Sequence, residues 1–185
     1  MDGTKEFINR NGEFTVNIAL IRNGCPVLGV VYIPVQDVMY VGTQVEAPKA
    51  FVSIKGEVNE IKTRPLKSDK SLTVVTSRRH GKGSDSNLFT TLAKYFDPIE
   101  TQTIGSSIKF CLVASGSVDL YPRLAPTSEW DTAAAQAVVE SAGGAVVDFS
   151  LRPLRYNAKR NLLNPNFLVV GDKNFPLAHV LDDYT

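Results

Sequence analysis

The spacing of apolar residues changes near residue 71, and this change constrains the fold more than any other feature of the chain. Before it, Val16 and Ile18 alternate with polar or small residues, as in a half-buried β-strand. Asn23-Gly24 follows, and both residues tolerate a positive φ, which favours a hairpin turn. After residue 71, short apolar runs alternate with segments of helical spacing. This order predicts an antiparallel meander followed by a layered α/β arrangement.

The same patterns predict the individual elements. Strand patterns occupy residues 14–20, 27–33, 38–41, 50–54, 57–61, 72–76, 99–104, 118–121, 145–149 and 167–170. Helical spacing predicts helices at residues 84–95, 106–114 and 132–142. Pro122 is expected to end the strand before it, and Gly143-Gly144 the last of these helices. The segment around His179 has mixed polarity, and we assign that histidine no role.

Composition excludes several classes of protein. Of 185 residues, 43% are hydrophobic and 21% charged, which is typical of a globular chain rather than a disordered or coiled-coil one. The net charge of +1 implies no general surface for nucleic-acid polymers, so any phosphate recognition must be local. No apolar stretch is long enough to be a transmembrane segment. Cys25 and Cys111 fit no zinc motif and are interpreted as reduced thiols, which favours a cytoplasmic protein. Peripheral attachment to the inner face of the cell membrane is the alternative location.

Asp131 is the first candidate functional residue. It lies in the opening turn of a predicted helix, where Thr127 or Ser128 can act as the cap. The helix dipole favours an ionised carboxylate at this position. A fixed, ionised aspartate beside free backbone N–H groups can hold a metal ion that bridges to phosphate. The alternative is that Asp131 only caps its own helix. Trp130 is expected to pack against the protein.

The segment from Gly105 to Lys109 is the second candidate. A glycine and two hydroxyl residues, including Ser106, lead from a strand into a helix that carries Lys109 in its first turn. Free N–H groups, hydroxyls and an ammonium group together suit a phosphate. The alternative is a capped helix with a solvated lysine.

Basic residues also follow two predicted strands. Arg78, Arg79 and His80 come after one strand, and Arg123 comes after another. Cationic groups at strand ends suit an anionic ligand in an α/β crevice, and an arginine can clamp phosphate with two parallel hydrogen bonds. The alternatives are a solvated loop for the first group and a surface ion pair for Arg123.

The opening Asp2-Gly3-Thr4 places a carboxylate and a hydroxyl on either side of a flexible glycine. Such a pair can bind a metal ion and orient a water molecule. The alternative is a frayed terminus.

Together these segments resemble the inositol monophosphatase superfamily. Asp2-Gly3-Thr4 resembles the end of its Asp-Pro-x-Asp-Gly-Thr signature, and the run Trp130-Asp131-Thr132-Ala133-Ala134 resembles its second signature. Residues 5–10, 105–111, 119–123 and 162–165 are similar to bacterial 3′(2′),5′-bisphosphate nucleotidases of the CysQ type.

The resemblance implies a layered α-β-α-β-α sandwich of the sugar-phosphatase type. Residues 1–70 would be the remainder of an antiparallel-sheet domain with an incomplete first layer, and residues 71–185 a C-terminal α/β domain. It implies an Mg²⁺-dependent enzyme that removes the 3′-phosphate of adenosine 3′,5′-bisphosphate to give AMP and phosphate.

It also implies roles for nine residues. Asp2 and Asp131 would bind the metal ion through their carboxylates, and Met1 through its backbone carbonyl. Gly3 and Thr4 would contact the scissile phosphate, and Asp2, Thr4 and Asp131 would be catalytic. The nucleotide and its second phosphate would contact His80, Ser106, Lys109 and Arg123.

The resemblance begins inside the first signature. The family's earlier Glu-Glu pair and the first aspartate of that signature are not in this chain, so we expect impaired activity. We also expect an exposed apolar face on the first sheet, with self-association through it. Two alternatives stay open: a phosphatase of sugar or polyol phosphates, and an inactive module that binds nucleotide or metal.

Overall fold

The computed structural model describes residues 1–67, 69–77 and 86–184 of the chain. Two five-stranded sheets are separated by a pair of helices, and two further helices cover the far side of the second sheet. The expected mixed α/β sandwich is therefore confirmed.

The first sheet is an antiparallel meander in which the spatial order of the strands follows the chain. Its strands are β1 (Val16–Arg22), β2 (Cys25–Ile33), β3 (Val38–Thr43), β4 (Lys49–Ile54) and β5 (Glu57–Ile61). The predicted hairpin turn is confirmed, since Asn23 and Gly24 have φ values of 53° and 76° between β1 and β2. Period-two alternation identified β1, whose residues alternate between an exposed face and a half-buried face that lies toward α4.

The second sheet is mixed, with the order β7-β6-β8-β10-β9. Its strands are β6 (Leu72–Ser77), β7 (Ile99–Ile104), β8 (Leu120–Arg123), β9 (Ala145–Asp148) and β10 (Phe167–Val170). Pro122 lies inside β8, so the prediction that it ends the strand was wrong. Strands β8 and β6 pair only at Leu120 opposite Val74, which leaves β8 open on that side at the proline. A proline is tolerated where no ladder bond is required of it.

Five helices accompany the sheets within the described ranges. They are α1 (Thr4–Ile8), α2 (Ser86–Leu92), α3 (Ile108–Ala114), α4 (Glu129–Ser141) and α5 (Leu177–Tyr184). Helices α3 and α4 lie between the sheets, whereas α2 and α5 pack together on the outer side of the second sheet. The sequence patterns did not predict α1 or α5. In α5 the apolar residues Leu177, Val180 and Leu181 have helical spacing that the exposed His179 and its neighbours obscure.

Helix α4 is the central element of the core. Ten of its thirteen residues are buried, and it packs across β1, β2 and β3. Glycines of the sheet permit this close approach: a Cβ on Gly29 would lie 2.0 Å from the Ala134 carbonyl oxygen, and one on Gly42 would lie 2.4 Å from the Val138 Cα. The sheet therefore fixes the position of α4 and of the residues in its first turn.

The opposite side of the first sheet, here called the outer face, is apolar and exposed. Val16, Ile18 and Leu20 of β1 all point to it, with Ile18 64% exposed and Leu20 49% exposed. This agrees with the expectation of an exposed apolar face on the first sheet. The division into residues 1–70 and 71–185 stays a prediction, because α4 of the second part packs on the sheet of the first.

Among the described helices, none has the length and apolar character needed to cross a bilayer. Cys25 and Cys111 are both free thiols, and Cys111 is fully buried in the core.

Candidate active site

One polar cavity of about 370 Å³ collects most of the residues singled out in the sequence. It lies where the N-terminal segment meets the loop after β7, the end of β8 and the start of α4. Eight predicted site residues line it: Met1, Asp2, Gly3, Thr4, Ser106, Lys109, Arg123 and Asp131. The ninth, His80, lies outside the described residues.

Asp2 is held rigidly at one side of this polar cavity. Its backbone N–H donates to the Thr15 carbonyl at 2.8 Å, and the Thr15 N–H donates to the Asp2 carbonyl at 2.9 Å. The N-terminal segment is therefore anchored to the residue before β1, and the alternative of a frayed terminus was wrong. Burial raises the pKa of the Asp2 carboxyl, and the negative charge of Asp131 raises it further. The two carboxylates thus face a common space.

Asp131 also lines the polar cavity and lies in the first turn of α4. Its Oδ2 accepts a hydrogen bond from the Ser128 N–H at 2.9 Å, so the carboxylate does cap its own helix. Asp131 can cap its own helix and also act at the functional site. The bond fixes the orientation of the carboxylate, and the residue still borders the cavity.

The loop after β7 is shaped by acidic and hydroxyl side chains from the N-terminal segment. The Gly105 N–H donates to Glu13 Oε2 at 2.7 Å, and a Cβ on Gly105 would lie 3.0 Å from the Glu13 carbonyl oxygen. Ser107 Oγ bonds Thr15 Oγ1 at 2.7 Å. Ser106 adopts a left-handed φ of 45°, and its buried Oγ finds no hydrogen-bond partner among the described residues. This hydroxyl is thus left for a group entering the cavity.

Lys109 is buried, so the alternative of a solvated lysine was wrong. Its Nζ donates to the Ser106 carbonyl at 2.6 Å and lies 5.1 Å from the centroid of the Tyr121 ring. Burial lowers the pKa of Lys109 to about 8, and the nearby Asp2 carboxylate opposes this shift. The ammonium group therefore holds the Ser106 loop in place and contributes positive charge beside Asp2.

Arg123 extends from the end of β8 into the same cavity. Its Nε donates to the Ala125 carbonyl at 2.9 Å, Nη1 to Ser77 Oγ at 2.6 Å and Nη2 to the Pro126 carbonyl at 3.1 Å. These three bonds to described residues hold the guanidinium group in place at the end of β8. The arginine therefore presents a rigid cation rather than a mobile one.

Two residues at this site were misjudged from the sequence. Glu6 lines the cavity with only 9% of its surface exposed, and it was missed because α1 was not predicted. Trp130 was expected to pack, but it is 64% exposed and stands at the rim. The sequence did contain one signal for the exposure of Trp130. This residue lies in the first turn of a helix whose later residues are almost all small or apolar.

The residues present suit a hard divalent cation in one specific way. Asp2 and Asp131 supply carboxylate oxygens, which hard cations prefer. No cluster of three or more histidine, cysteine, aspartate or glutamate residues with metal-site geometry occurs in the described ranges. Mg²⁺ commonly uses one or two carboxylates and completes its shell with water and substrate phosphate. The pair therefore fits an ion that binds together with a phosphate.

Residues 1–176 match the inositol monophosphatase family. Together with the two-sheet sandwich and the polar cavity, this match shows that the chain belongs to that family. The CysQ protein of Bacteroides thetaiotaomicron, described as a bacterial member of the family, superposes with a TM-score of 0.82 at 40% identity, over 93% of this chain and 68% of that one.

Relatives with curated names give a consistent result. The 3′(2′),5′-bisphosphate nucleotidase CysQ of Escherichia coli K12 is 46% identical over 169 residues, which are 91% of this chain and 65% of that protein. The Haemophilus influenzae protein of the same name is 36% identical, over 95% of this chain and 63% of its own length. The chain therefore spans slightly less than two thirds of the curated relatives it matches.

Proposed function

We propose that this site hydrolyses a phosphate monoester, and that its substrate is adenosine 3′,5′-bisphosphate, from which it removes the 3′-phosphate. The observation that carries the proposal is the polar cavity that two carboxylates, Asp2 and Asp131, line together with the buried Lys109 and the half-buried Arg123. The names of the curated relatives support the choice of substrate.

Enzymes of this family are metal-dependent phosphatases. We propose Mg²⁺ as the metal, held by the carboxylates of Asp2 and Asp131 and the backbone carbonyl of Met1. When bound, such an ion neutralises phosphate charge and lowers the pKa of coordinated water.

Groups of the N-terminal segment are proposed to orient the reactants for hydrolysis. In the hydrolysis, a water oxygen bonds to phosphorus and the bond from phosphorus to the 3′ oxygen breaks. The released 3′ oxygen takes a proton, giving AMP and phosphate. The Thr4 hydroxyl is proposed to orient the water, and the backbone around Gly3 to contact the transferred phosphoryl group. Holding both reactants in one geometry removes part of the entropic barrier.

The second phosphate requires its own cations. Ser106, with its unpartnered Oγ, and the fixed ammonium and guanidinium groups of Lys109 and Arg123 supply such a subsite beside the two carboxylates. His80 is proposed to join them. A phosphatase of simple sugar or polyol phosphates would need no second cationic group.

Asp2 and Asp131 are only two proposed carboxylate ligands for the metal, which are few for phosphate-monoester hydrolysis, a reaction that is extremely slow without catalysis. We therefore propose that turnover by this chain is low. Retained binding without turnover would instead indicate a nucleotide-binding or metal-binding module.

The test measures phosphate release from adenosine 3′,5′-bisphosphate and from inositol monophosphate, with Mg²⁺ present. Asp131→Asn keeps the cap but removes the charge, and should reduce release from either substrate by more than tenfold. Lys109→Met fills the same volume and should affect the bisphosphate much more than the monophosphate. Glu60→Gln, at an exposed surface pair with Lys62, is the matched control and should change neither rate. Equal losses for Lys109→Met on both substrates would favour the sugar or polyol phosphatase.

We also propose that the outer face of the first sheet causes self-association. Exposed apolar residues at neighbouring positions of one strand form a patch that water solvates poorly. A location in the cytoplasm, with or without attachment to the inner face of the membrane, stays a prediction from the sequence.

A further inference from the structure

Trp130 is the only tryptophan of the chain and stands in the first turn of α4, directly before Asp131. Its side chain is 64% exposed, whereas Thr132, Ala133 and Ala134, which follow Asp131, are buried. An exposed indole beside a binding cavity leaves a large apolar surface available to a ligand. Packing of the core therefore does not account for this residue.

Trp130 borders a second cavity as well as the polar one. This side cavity has a volume of about 250 Å³ and lies between β1, the first turns of α4 and the segment after residue 155. Its apolar wall is formed by Ala19, Ile21, Ala133, Ala134, Tyr156 and Leu162. Asn17 and Asn157 add polar groups. The Trp130 indole therefore borders both a charged cavity and a largely apolar one.

Glu129, the residue before Trp130, bonds to several residues around the side cavity. The Glu129 N–H donates to the Leu162 carbonyl at 2.8 Å, and Glu129 Oε2 accepts from the Asn157 N–H at 2.8 Å. Lys159 pairs with the other oxygen of the buried Glu129 carboxylate. The turn that carries the indole and the segment facing it are therefore fixed relative to each other. Such a cleft is formed before a ligand arrives, which reduces the ordering cost of binding.

We propose that the Trp130 indole stacks on the nucleobase of the substrate, with the base in the side cavity and the phosphates in the polar cavity. This rests on the proposed function and deepens it, since it assigns the residue that distinguishes a nucleotide from a sugar phosphate. A ligand that spans both cavities must be anionic at one end and flat and apolar at the other. A purine nucleoside bisphosphate has this form. Stacking of a base on an aromatic side chain corresponds to about 5-fold to 150-fold in affinity.

The sole tryptophan makes the proposal directly measurable. Wild-type chain in Mg²⁺ buffer is titrated with adenosine 3′,5′-bisphosphate and, separately, with ribose 3,5-bisphosphate, which lacks the base. We expect the first ligand to quench and shift the Trp130 emission, and the second to bind with little effect on it. Calorimetry on the same samples measures both affinities without requiring turnover.

Two variants at the same position separate stacking from structure. Trp130→Ala should weaken binding of the adenosine ligand by about 5-fold to 150-fold, whereas Trp130→Phe should keep most of the affinity. Neither should change the affinity for ribose 3,5-bisphosphate, and circular dichroism should confirm that both variants fold.

The proposal is overturned if Trp130→Ala binds the adenosine ligand as tightly as wild type, or if it loses affinity equally for both ligands. In those cases the proposed hydrolysis stands, because wild-type binding and phosphate release are unaffected by the result. If the wild-type chain binds neither ligand, both the proposed function and the stacking role fail.

Discussion

Replacing Gly29 by alanine tests whether the first sheet positions helix α4. The added Cβ would lie 2.0 Å from the Ala134 carbonyl oxygen, whereas ordinary contact begins at 3.4 Å, so the two must separate by 1.4 Å. That oxygen belongs to the backbone of a buried helix and cannot swing aside as a flexible side chain can. The helix must move away from β2, or the strand must bend.

We expect a cost of about 1–3 kcal/mol in the free energy of unfolding, the usual range for an overpacked core. Since Asp131 lies in the first turn of the same helix, a displacement of about 1 Å also misplaces one of the two proposed metal-binding carboxylates. Loss of alignment on this scale is expected to reduce catalysis by about a hundredfold. Stability and phosphate release should therefore fall together in Gly29→Ala.

Gly171→Ala is the matched control. Gly171 is also buried, but a Cβ there would come no closer than 3.5 Å to a neighbouring atom. Urea unfolding followed by far-ultraviolet circular dichroism should give a lower midpoint for Gly29→Ala and a change within about 0.5 kcal/mol for Gly171→Ala. Equal midpoints for the two variants would refute the close packing of α4 on β2.

Three further predictions concern charge and the outer face. Burial raises the pKa of Asp148, but hydrogen bonds from Arg152 and Ser150 and the charge of Arg152 together lower it below its usual value. Asp148 therefore stabilises the fold above the unfolded pKa near 3.8, and this stabilisation is lost as pH falls through the lower folded value. Asp148→Asn should thus cost about 1–3 kcal/mol at pH 7 in urea titrations and less in acid; a loss independent of pH would contradict this. The Asp119 carboxylate is 2% exposed and pairs with Arg64 at 2.6 Å, so Arg64→Met leaves it without this partner. The free energy of unfolding should fall by about 3–5 kcal/mol. A change below about 1 kcal/mol in urea unfolding would show that the ion pair is dispensable. Ile18→Glu places a charge on the outer face and should reduce the sedimentation coefficient of any self-associated species, whereas an unchanged distribution would remove the outer face as its cause.

Much of the fold could be predicted from the sequence because strands and their turns are encoded locally. The boundaries of β5, β7 and β10 agree with the predicted ranges, and the Asn23-Gly24 turn was readable from two residues. Helix α1 was missed because five residues are too few to establish a period.

The candidate site was harder to predict, since it depends on contacts between distant parts of the chain. The motifs correctly indicated that Asp2 and Asp131 lie at one cavity. They gave no sign that Lys109 is buried against the Ser106 carbonyl, or that Arg123 is locked by three bonds to its neighbours. Spacing predicts which side a residue occupies on its own element, but not which atoms of another segment will meet it.

The capping bond from the Ser128 N–H to Asp131 links helix folding to ligand occupancy. The carboxylate that caps α4 is the same group that borders the polar cavity, so a cation that binds it also acts on the start of the helix. By linkage, a cation that binds this carboxylate in the folded chain and not in the unfolded chain raises the melting temperature. Thermal denaturation can therefore serve as a binding assay for the cavity even in a variant that has no turnover.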